Sequence, residues 1–343
     1  MMKKVILFGG SFDPIHHGHL SVAMAAVRQL NANECWLIPA FDAPLKERKL
    51  TPFHHRVNMI KAAIAPYDQL FVQPIEATLP LPNYTVTTLG HLIKLYPGVK
   101  FVLLIGADQA ADFHRWKEPD QIRSMVDVAV YPRKGYDPTH GFTMIDQPWV
   151  EVSSTEIRMG ESVEAPAQVL NYMMSKNLYT EAIVSSQLGE KRMAHVLRVT
   201  RLTRDLALRY GIDANRAILA GLFHDYAKQW PQERLLRWMR LYRPHLLHLD
   251  PAIWHAFVAS DVLRDNYQIQ DKPVLQSIAH HVQGNSSHLL AKILYVADKI
   301  EPGRKYDTSL LIHSAFSDIH KTVRIVKTMQ IQYLGKEKSN DIN

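Results

Sequence analysis

Two groups of side chains in this sequence of 343 residues have the types and spacing to do chemistry. The first lies in Gly9-Gly10-Ser11-Phe12-Asp13-Pro14-Ile15-His16-His17-Gly18-His19-Leu20. A glycine pair at the end of an apolar run lets backbone N–H groups approach a phosphate chain. A helix opening just beyond it adds unpaired donors and the positive end of a dipole. His16 and His19 are three apart, so on a first helical turn they share a face. Two imidazoles aimed at a phosphate suit transfer of a nucleotidyl group. A tight turn with incidental histidines would explain a lone Gly-Gly or a lone His, but not twelve residues in this order.

The second group is His195, His224, Asp225, His255, His281 and Asp298. Each stands beside apolar residues in a segment with helical periodicity. Any one of them alone reads as a satisfied buried polar group. Six together would leave many polar atoms unpaired unless a metal took them up. An imidazole-rich set suits iron, manganese or zinc better than magnesium. Six ligands exceed the need of one tetrahedral zinc, which points to two ions. His280 is no ligand on this reading, because helix neighbours point about 100° apart. His245, His248 and His288 read as surface or structural.

The elements that must position these groups differ between the two halves. Residues 5–8, 34–38, 70–72, 100–105 and 126–131 read as strands, with amphipathic helices over 53–65 and 85–96 and a helix over 21–30. That alternation predicts a doubly wound parallel sheet, whose ligands sit beyond the carboxyl ends of the strands. Gly9-Gly10 and Gly106 both fall there. Beyond residue 185 helical periodicity takes over, over 192–210, 214–227, 251–263, 273–281 and 288–300. The expected division is an α/β domain over 1–183 and an all-α domain over 190–335, with Ser185 to Gly189 as a short linker.

Composition sets the outer limits. Hydrophobic residues make up 47% of the chain, enough for ordinary globular cores. No apolar run reaches the roughly 18 residues of a membrane helix, and the first residues carry no signal-peptide core. The one cysteine, Cys35, rules out an intrachain disulfide and fits a cytoplasmic setting. Residues 1–180 hold 17 basic and 17 acidic side chains, and residues 181–343 hold 23 and 16, so the net charge of +7 lies in the second half. Its basic residues are scattered and lack interleaved aromatics, which argues against nucleic acid and for a polyphosphate substrate. Nothing here fixes the oligomeric state, and a homo-oligomer is allowed.

The first segment resembles the HxGH signature of the nucleotidyltransferases, and the longer string is similar to that of the nicotinate-mononucleotide adenylyltransferases. The resemblance continues through Ala43-Pro44-Leu45-Lys46, Asn83-Tyr84-Thr85-Val86-Thr87-Thr88-Leu89, Ile105-Gly106-Ala107-Asp108, Phe113, Trp116 and Ser153-Ser154-Thr155-Glu156-Ile157-Arg158. It departs at Leu45 for His, Asn83 for Ser, Thr87 for Asp and Val152 for Ile. It implies transfer of AMP from ATP to nicotinate mononucleotide, with Mg2+, giving deamido-NAD and pyrophosphate. Gly9, Gly10, Ser11, Phe12, His16, His19, Gly106, Asp108, Ser154, Thr155 and Arg158 are then the ATP-binding candidates, with His16, His19 and Arg158 catalytic. Lys46, Tyr84, Thr85, Trp116 and Arg133 are the candidates for the mononucleotide.

The H…HD…H…H…D order is similar to that of the HD-domain phosphohydrolases. More narrowly, His224-Asp225-Tyr226-Ala227-Lys228, Trp254-His255-Ala256 and Tyr295 to Arg304 resemble the symmetrical diadenosine tetraphosphatases. The chain departs at Asn285, where that family carries Arg. The resemblance implies metal-assisted hydrolysis on iron or manganese, with a metal-bound hydroxide attacking a central phosphorus and two ADP leaving. Asp225 is then catalytic as well as a ligand, and Lys228 and Arg304 are the candidates for the polyphosphate. The expectation is a bifunctional enzyme: an α/β doubly wound parallel-sheet nucleotidyltransferase domain followed by an all-α HD domain. The alternative keeps the adenylyltransferase and makes the HD domain a regulatory nucleotide-binding module or a different phosphohydrolase.

Overall fold

The computed structural model describes residues 2–41, 49–136, 141–147 and 151–340, with side chains to residue 332. The chain divides into two compact units, Met1–Ile157 with Glu164–Val169 and Arg158–Val163 with Leu170–Asn343.

The first unit runs β1 (Lys4–Gly10), α1 (His17–Gln29), β2 (Glu34–Pro39), α2 (Phe53–Ile64), β3 (Leu70–Val72), α3 (Thr85–Leu95), β4 (Lys100–Gly106), α4 (Ala107–Ala111), α5 (Pro119–Met125), β5 (Asp127–Tyr131) and β6 (Thr143–Met144). The sheet order is β3-β2-β1-β4-β5-β6, and every pairing is parallel. Strands buried on both faces read as near-continuous apolar runs, as Val5–Phe8 and Phe101–Ile105 do. One core layer gathers Val5, Leu7, Trp36, Leu89, Leu103, Ile105 and Val130. After β3 the chain returns to the other side of β1, so the strand order reverses between β1 and β4. Such a switch point opens a crevice at the carboxyl ends of the two strands, where Gly9-Gly10 and Gly106 stand.

Helix α1 starts at His17, four residues before the expected position. His16 is extended (φ −145°, ψ 174°), and its carbonyl accepts from the N–H groups of His19 and Leu20. The HHGH segment is therefore itself the first helical turn. The short edge strand β6 carries no periodicity that two residues could reveal.

Helix α6 (Ser154–Met159) spans the division between the units. The second unit continues with α7 (Ala167–Ser175), α8 (Thr180–Ser185), α9 (Glu190–Arg209), α10 (Ala214–Phe223), α11 (Gln232–Tyr242), α12 (Trp254–Asp265), α13 (Lys272–His280), α14 (Leu289–Ile300), α15 (Ser309–Ser317) and α16 (Ile319–Asn340). Most of α7 and all of α8 belong to this helical unit, ahead of the boundary expected between residues 183 and 190. Ser185 to Gly189 is a tight connection inside the unit, where Gln187 Oε1 accepts from the Trp230 indole at 2.9 Å. Small polar residues made it read as a linker. Among the described residues no helix is long and apolar enough to cross a membrane.

Helices α9 and α10 pack closely because Gly221 has no side chain: a Cβ there would lie 2.7 Å from Thr200 Cα. Gly221→Ala is expected to cost about 1–3 kcal/mol, because backbone rather than a flexible tip must yield. A lowered melting temperature with weaker metal retention checks it, since α9 carries His195 and α10 leads into His224.

Candidate active sites

The first site is a cleft of about 420 Å3 lined by Gly9, Gly10, Ser11, His19, Thr85, Asp108, Trp116 and Arg133 among others. The space above Gly9 is open, so its backbone is available to a ligand. His16 and His19 stack with ring centroids 3.7 Å apart. His19 Nδ1 accepts from the His16 backbone N–H at 3.3 Å, so a neutral His19 carries its proton on Nε2. His16 is buried, and its Nδ1 has no hydrogen-bond partner among the described residues. Burial and then Arg133 push its pKa down to about 3. Gly18 makes room for that ring: a Cβ there would lie 3.1 Å from His16 Nδ1.

Behind the cleft, Phe12 is buried edge-on to Phe8 and His19. It backs the loop rather than lining the cleft. Gly106 likewise acts by lacking a side chain, since a Cβ there would run into Asp108 Oδ1 and Arg133. Arg133 donates to Tyr131 Oη at 3.0 Å and lies 3.8 Å from Asp108. Helix α6 opens on a reciprocal cap, Ser153 N–H to Glu156 at 2.8 Å and Glu156 N–H to Ser153 Oγ at 3.2 Å. Ser154 Oγ then donates to the Pro14 carbonyl at 2.9 Å, tying α6 to the loop before α1. Thr155 is exposed and Arg158 half-buried on the same helix. Tyr84, which precedes α3, is exposed beside Lys117 rather than lining the cleft. Lys46 lies outside the described residues.

The second site gathers all six expected residues in the helical unit, each buried. Asp225 stands at its middle. Its Oδ2 lies 3.6 Å from His224 Nε2 and 3.9 Å from His195 Nε2, and its Oδ1 lies 3.3 Å from His255 Nε2 and 3.7 Å from His281 Nε2. Asp298 Oδ1 closes the first side, 3.2 Å from His195 and 3.9 Å from His224.

Every imidazole is turned the same way. The Nδ1 of His224, His255 and His281 meets the carbonyl of Gly221, Ala252 and Ile278 at 2.7, 2.9 and 2.8 Å. Carbonyls only accept, so each Nδ1 carries the proton and each Nε2 presents a lone pair to the centre. The Nε2 atoms of His224 and His255 are buried without a hydrogen-bond partner among the described residues. Burial holds the His224 pKa down to about 4 and lowers those of His255 and His281. Burial alone would raise Asp225 and Asp298. Both carboxyls are nevertheless held well below their ordinary range, with Lys299 the leading opposing charge at Asp298. Inward lone pairs around two ionised carboxylates fit a divalent metal.

Comparison with known proteins finds a family match in each half of the chain. Residues 7–160 match the cytidylyltransferase-like family, and residues 192–303 match the HD domain. The chain is 39% identical over 159 residues to a probable nicotinate-nucleotide adenylyltransferase of Porphyromonas gingivalis, covering 44% of this chain and 81% of that protein. The chain belongs to the nicotinate-nucleotide adenylyltransferase family. To this family's unit it joins an HD domain, and two relatives match the chain along nearly its whole length. Both are named probable nicotinate-nucleotide adenylyltransferase/Ap4A hydrolase. The one from Mycoplasma genitalium is 28% identical over 90% of each chain, and the one from Mycoplasma pneumoniae is 26% identical over 95% of this chain and 99% of that protein.

Several residues of this adenylyltransferase–HD chain went unread in the sequence. Glu301 Oε1 meets His195 Nδ1 at 3.2 Å and is itself held by Arg198 at 2.6 Å. Arg192 donates to Asp225 Oδ2 at 3.0 Å. In the adenylyltransferase unit the fully buried Arg56 bridges the carbonyls of Ser11 and Thr51, each at 2.9 Å. The spacing Arg192, His195, on one helical face, was the available signal; Glu301 and Arg56 had none nearby. Lys228 is exposed beside the metal centre and donates to the Ala252 carbonyl at 3.4 Å. Arg304, expected on the polyphosphate, is turned back onto the Asp298 carboxylate at 3.0 Å and lies 3.7 Å from Glu301.

Glu301→Gln is expected to weaken metal binding about 10–100-fold, because a neutral amide no longer fixes the His195 ring in its tautomer. Metal retained against a graded chelator measures it.

Proposed function

We propose that the first unit transfers AMP from ATP to nicotinate mononucleotide, with release of pyrophosphate, and that the helical unit hydrolyses diadenosine tetraphosphate between its central phosphates to give two ADP. Membership of the family supports the first reading. The observation that carries the second is the Asp225 carboxylate, whose two oxygens face separate groups of imidazoles.

In the transfer, open backbone at Gly9 and the phosphate loop would take the ATP phosphates. His19 would donate from Nε2, and the neutral His16 from one ring nitrogen, to oxygens that gain charge in the transition state. Arg133, beside Asp108 in the cleft, would neutralise the same chain, with Ser154, Thr155 and Arg158 as the further phosphate contacts. Trp116 would stack on the pyridine ring, with Thr85 at its carboxylate and Lys46 on the mononucleotide. Mg2+ would accompany ATP.

In the hydrolysis, His195, His224 and Asp298 would hold one ion and His255 and His281 a second, with Asp225 serving both. Iron or manganese suits this donor set. Held by these residues, a divalent ion would supply Lewis-acid polarisation of a phosphoryl oxygen and a lowered pKa for water. Arg192, Lys228 and Lys299 are the cations positioned to meet the charge of the polyphosphate. Arg304 holds Asp298 in place. The two activities would divide between the two units, ahead of the boundary expected between residues 183 and 190, in a cytoplasmic protein.

The test is product analysis. Anaerobically purified protein given diadenosine tetraphosphate with iron or manganese should yield ADP as the sole product by anion exchange. AMP with ATP would mean attack at an outer phosphorus, and absence of turnover with either metal would leave the helical unit a binding module.

A further inference from the structure

A second cavity in the helical unit, of about 460 Å3, is lined by none of the six residues at the metal centre. Its volume is that of a small-molecule site. Arg243, Arg264 and Lys272 line it, and no carboxylate does. Its other walls are largely apolar, with Leu249, Phe257 and Leu275 among them.

The cations are braced from behind. Asp261 is fully buried and accepts from Arg243 Nη2 at 2.6 Å and from Arg264 Nη1 at 2.9 Å, and Asp265 takes Nε and Nη2 of Arg264, each at 2.7 Å. A buried ion pair adds little net stability, because desolvation offsets the attraction. What this network does is hold two guanidiniums at a cavity wall, with Arg264 closed on both edges by carboxylates, so that Arg243 and Lys272 are the cations that would meet an anion. Apolar walls beside fixed cations suit a flat ring that carries a phosphate.

The cavity also shares its walls with the metal centre. Helix α12 presents Phe257 and Arg264 to the cavity and carries His255. Helix α13 presents Leu275 and ends at His280, also in the cavity lining, just ahead of His281. We propose that this cavity binds a nucleoside monophosphate, and that its occupancy alters hydrolysis at the metal centre through α12 and α13. The binding step stands apart from the proposed hydrolase activity, so either can fail without the other.

The experiment is photolabelling of the metal-loaded full chain with 8-azido-AMP, followed by peptide mass spectrometry. Label is expected within residues 243–249 or 272–280. Lys272→Glu, which reverses a surface charge, and Ala279→Trp, which fills the cavity, should each weaken that label at least about tenfold, or about 1.4 kcal/mol. AMP should change the turnover of diadenosine tetraphosphate by the wild type, and Lys272→Glu should lose the response while keeping its basal rate. Label that is unchanged in both variants, label confined to residues 224–228 and 298–304, or purely competitive inhibition by AMP would each overturn the proposal.

Discussion

Asp225→Asn is expected to lower hydrolysis of diadenosine tetraphosphate at least about 10²-fold and to strip the helical unit of metal. The substitution keeps the shape of the side chain and removes its charge. That charge is what two sets of imidazoles face, at 3.3–3.9 Å from one carboxylate. An amide offers one oxygen and one NH2 group, so one side of the centre would meet a donor where it needs an acceptor. Arg192 loses its partner too, but its side chain is 37% exposed and can turn to water. The fold should therefore survive better than the site. Adenylyl transfer should stay within about twofold, because no residue of that cleft is altered. Metal analysis, anion exchange of the products and circular dichroism check the three parts. A variant that kept both metal and turnover would remove Asp225 from the centre.

How far the sequence reached depended on how local each signal was. The strands were legible because a parallel strand covered on both faces is one apolar run. The six clustered residues were legible because polar types stood out on apolar helices. Their orientation was half legible: His224, His255 and His281 each turn Nδ1 to the carbonyl three residues back, a contact that a helix end supplies by itself. His195 has no such contact, and its partner Glu301 is 106 residues away. No local pattern announces a partner at that separation. Arg56 is similar, a charge buried on an apolar helix whose acceptors are carbonyls, which every sequence has. The start of α1 was misplaced because Gly18 looks like a helix breaker. Its real service is to leave space for the His16 ring.

The charge excess of the second half has a structural counterpart. Arg192, Lys299 and Arg304 all contact carboxylates of the metal centre, at 2.6–3.0 Å. Cations already paired in this way hold ligands in position, and those with exposed flanks can also meet an incoming polyanion. Arg304, expected on the polyphosphate, is paired with Asp298 in this way. Lys228→Ala should therefore raise KM for diadenosine tetraphosphate with little loss of metal, whereas Arg304→Ala should lower metal affinity as well.

His19→Ala is expected to lower kcat for adenylyl transfer about 10²–10³-fold while hydrolysis is unchanged, the scale for removing one donor that stabilises developing charge. His19 lines the cleft and directs Nε2 by accepting at Nδ1, so truncation takes away a donor of fixed direction. His16 contributes differently. With its pKa pushed from 6.5 down to about 3, it is neutral across the working range, and the rate should show no limb from its titration between about pH 5 and 8. Stability should show one. The unfolded imidazole binds a proton near pH 6.5 and the folded one only near pH 3, so the unfolded state holds more protons between them. Stability then rises with pH across that window and is lost as the pH falls through it. His224 acts in the same direction, with a folded pKa of about 4. The informative quantity is thus a difference. His16→Asn should flatten the change in urea midpoint between pH 7 and pH 5 relative to wild type, and should lower adenylyl transfer at both. An equal slope in the two proteins would mean that His16 takes up its proton without resistance, and that burial does not keep it neutral at the phosphate.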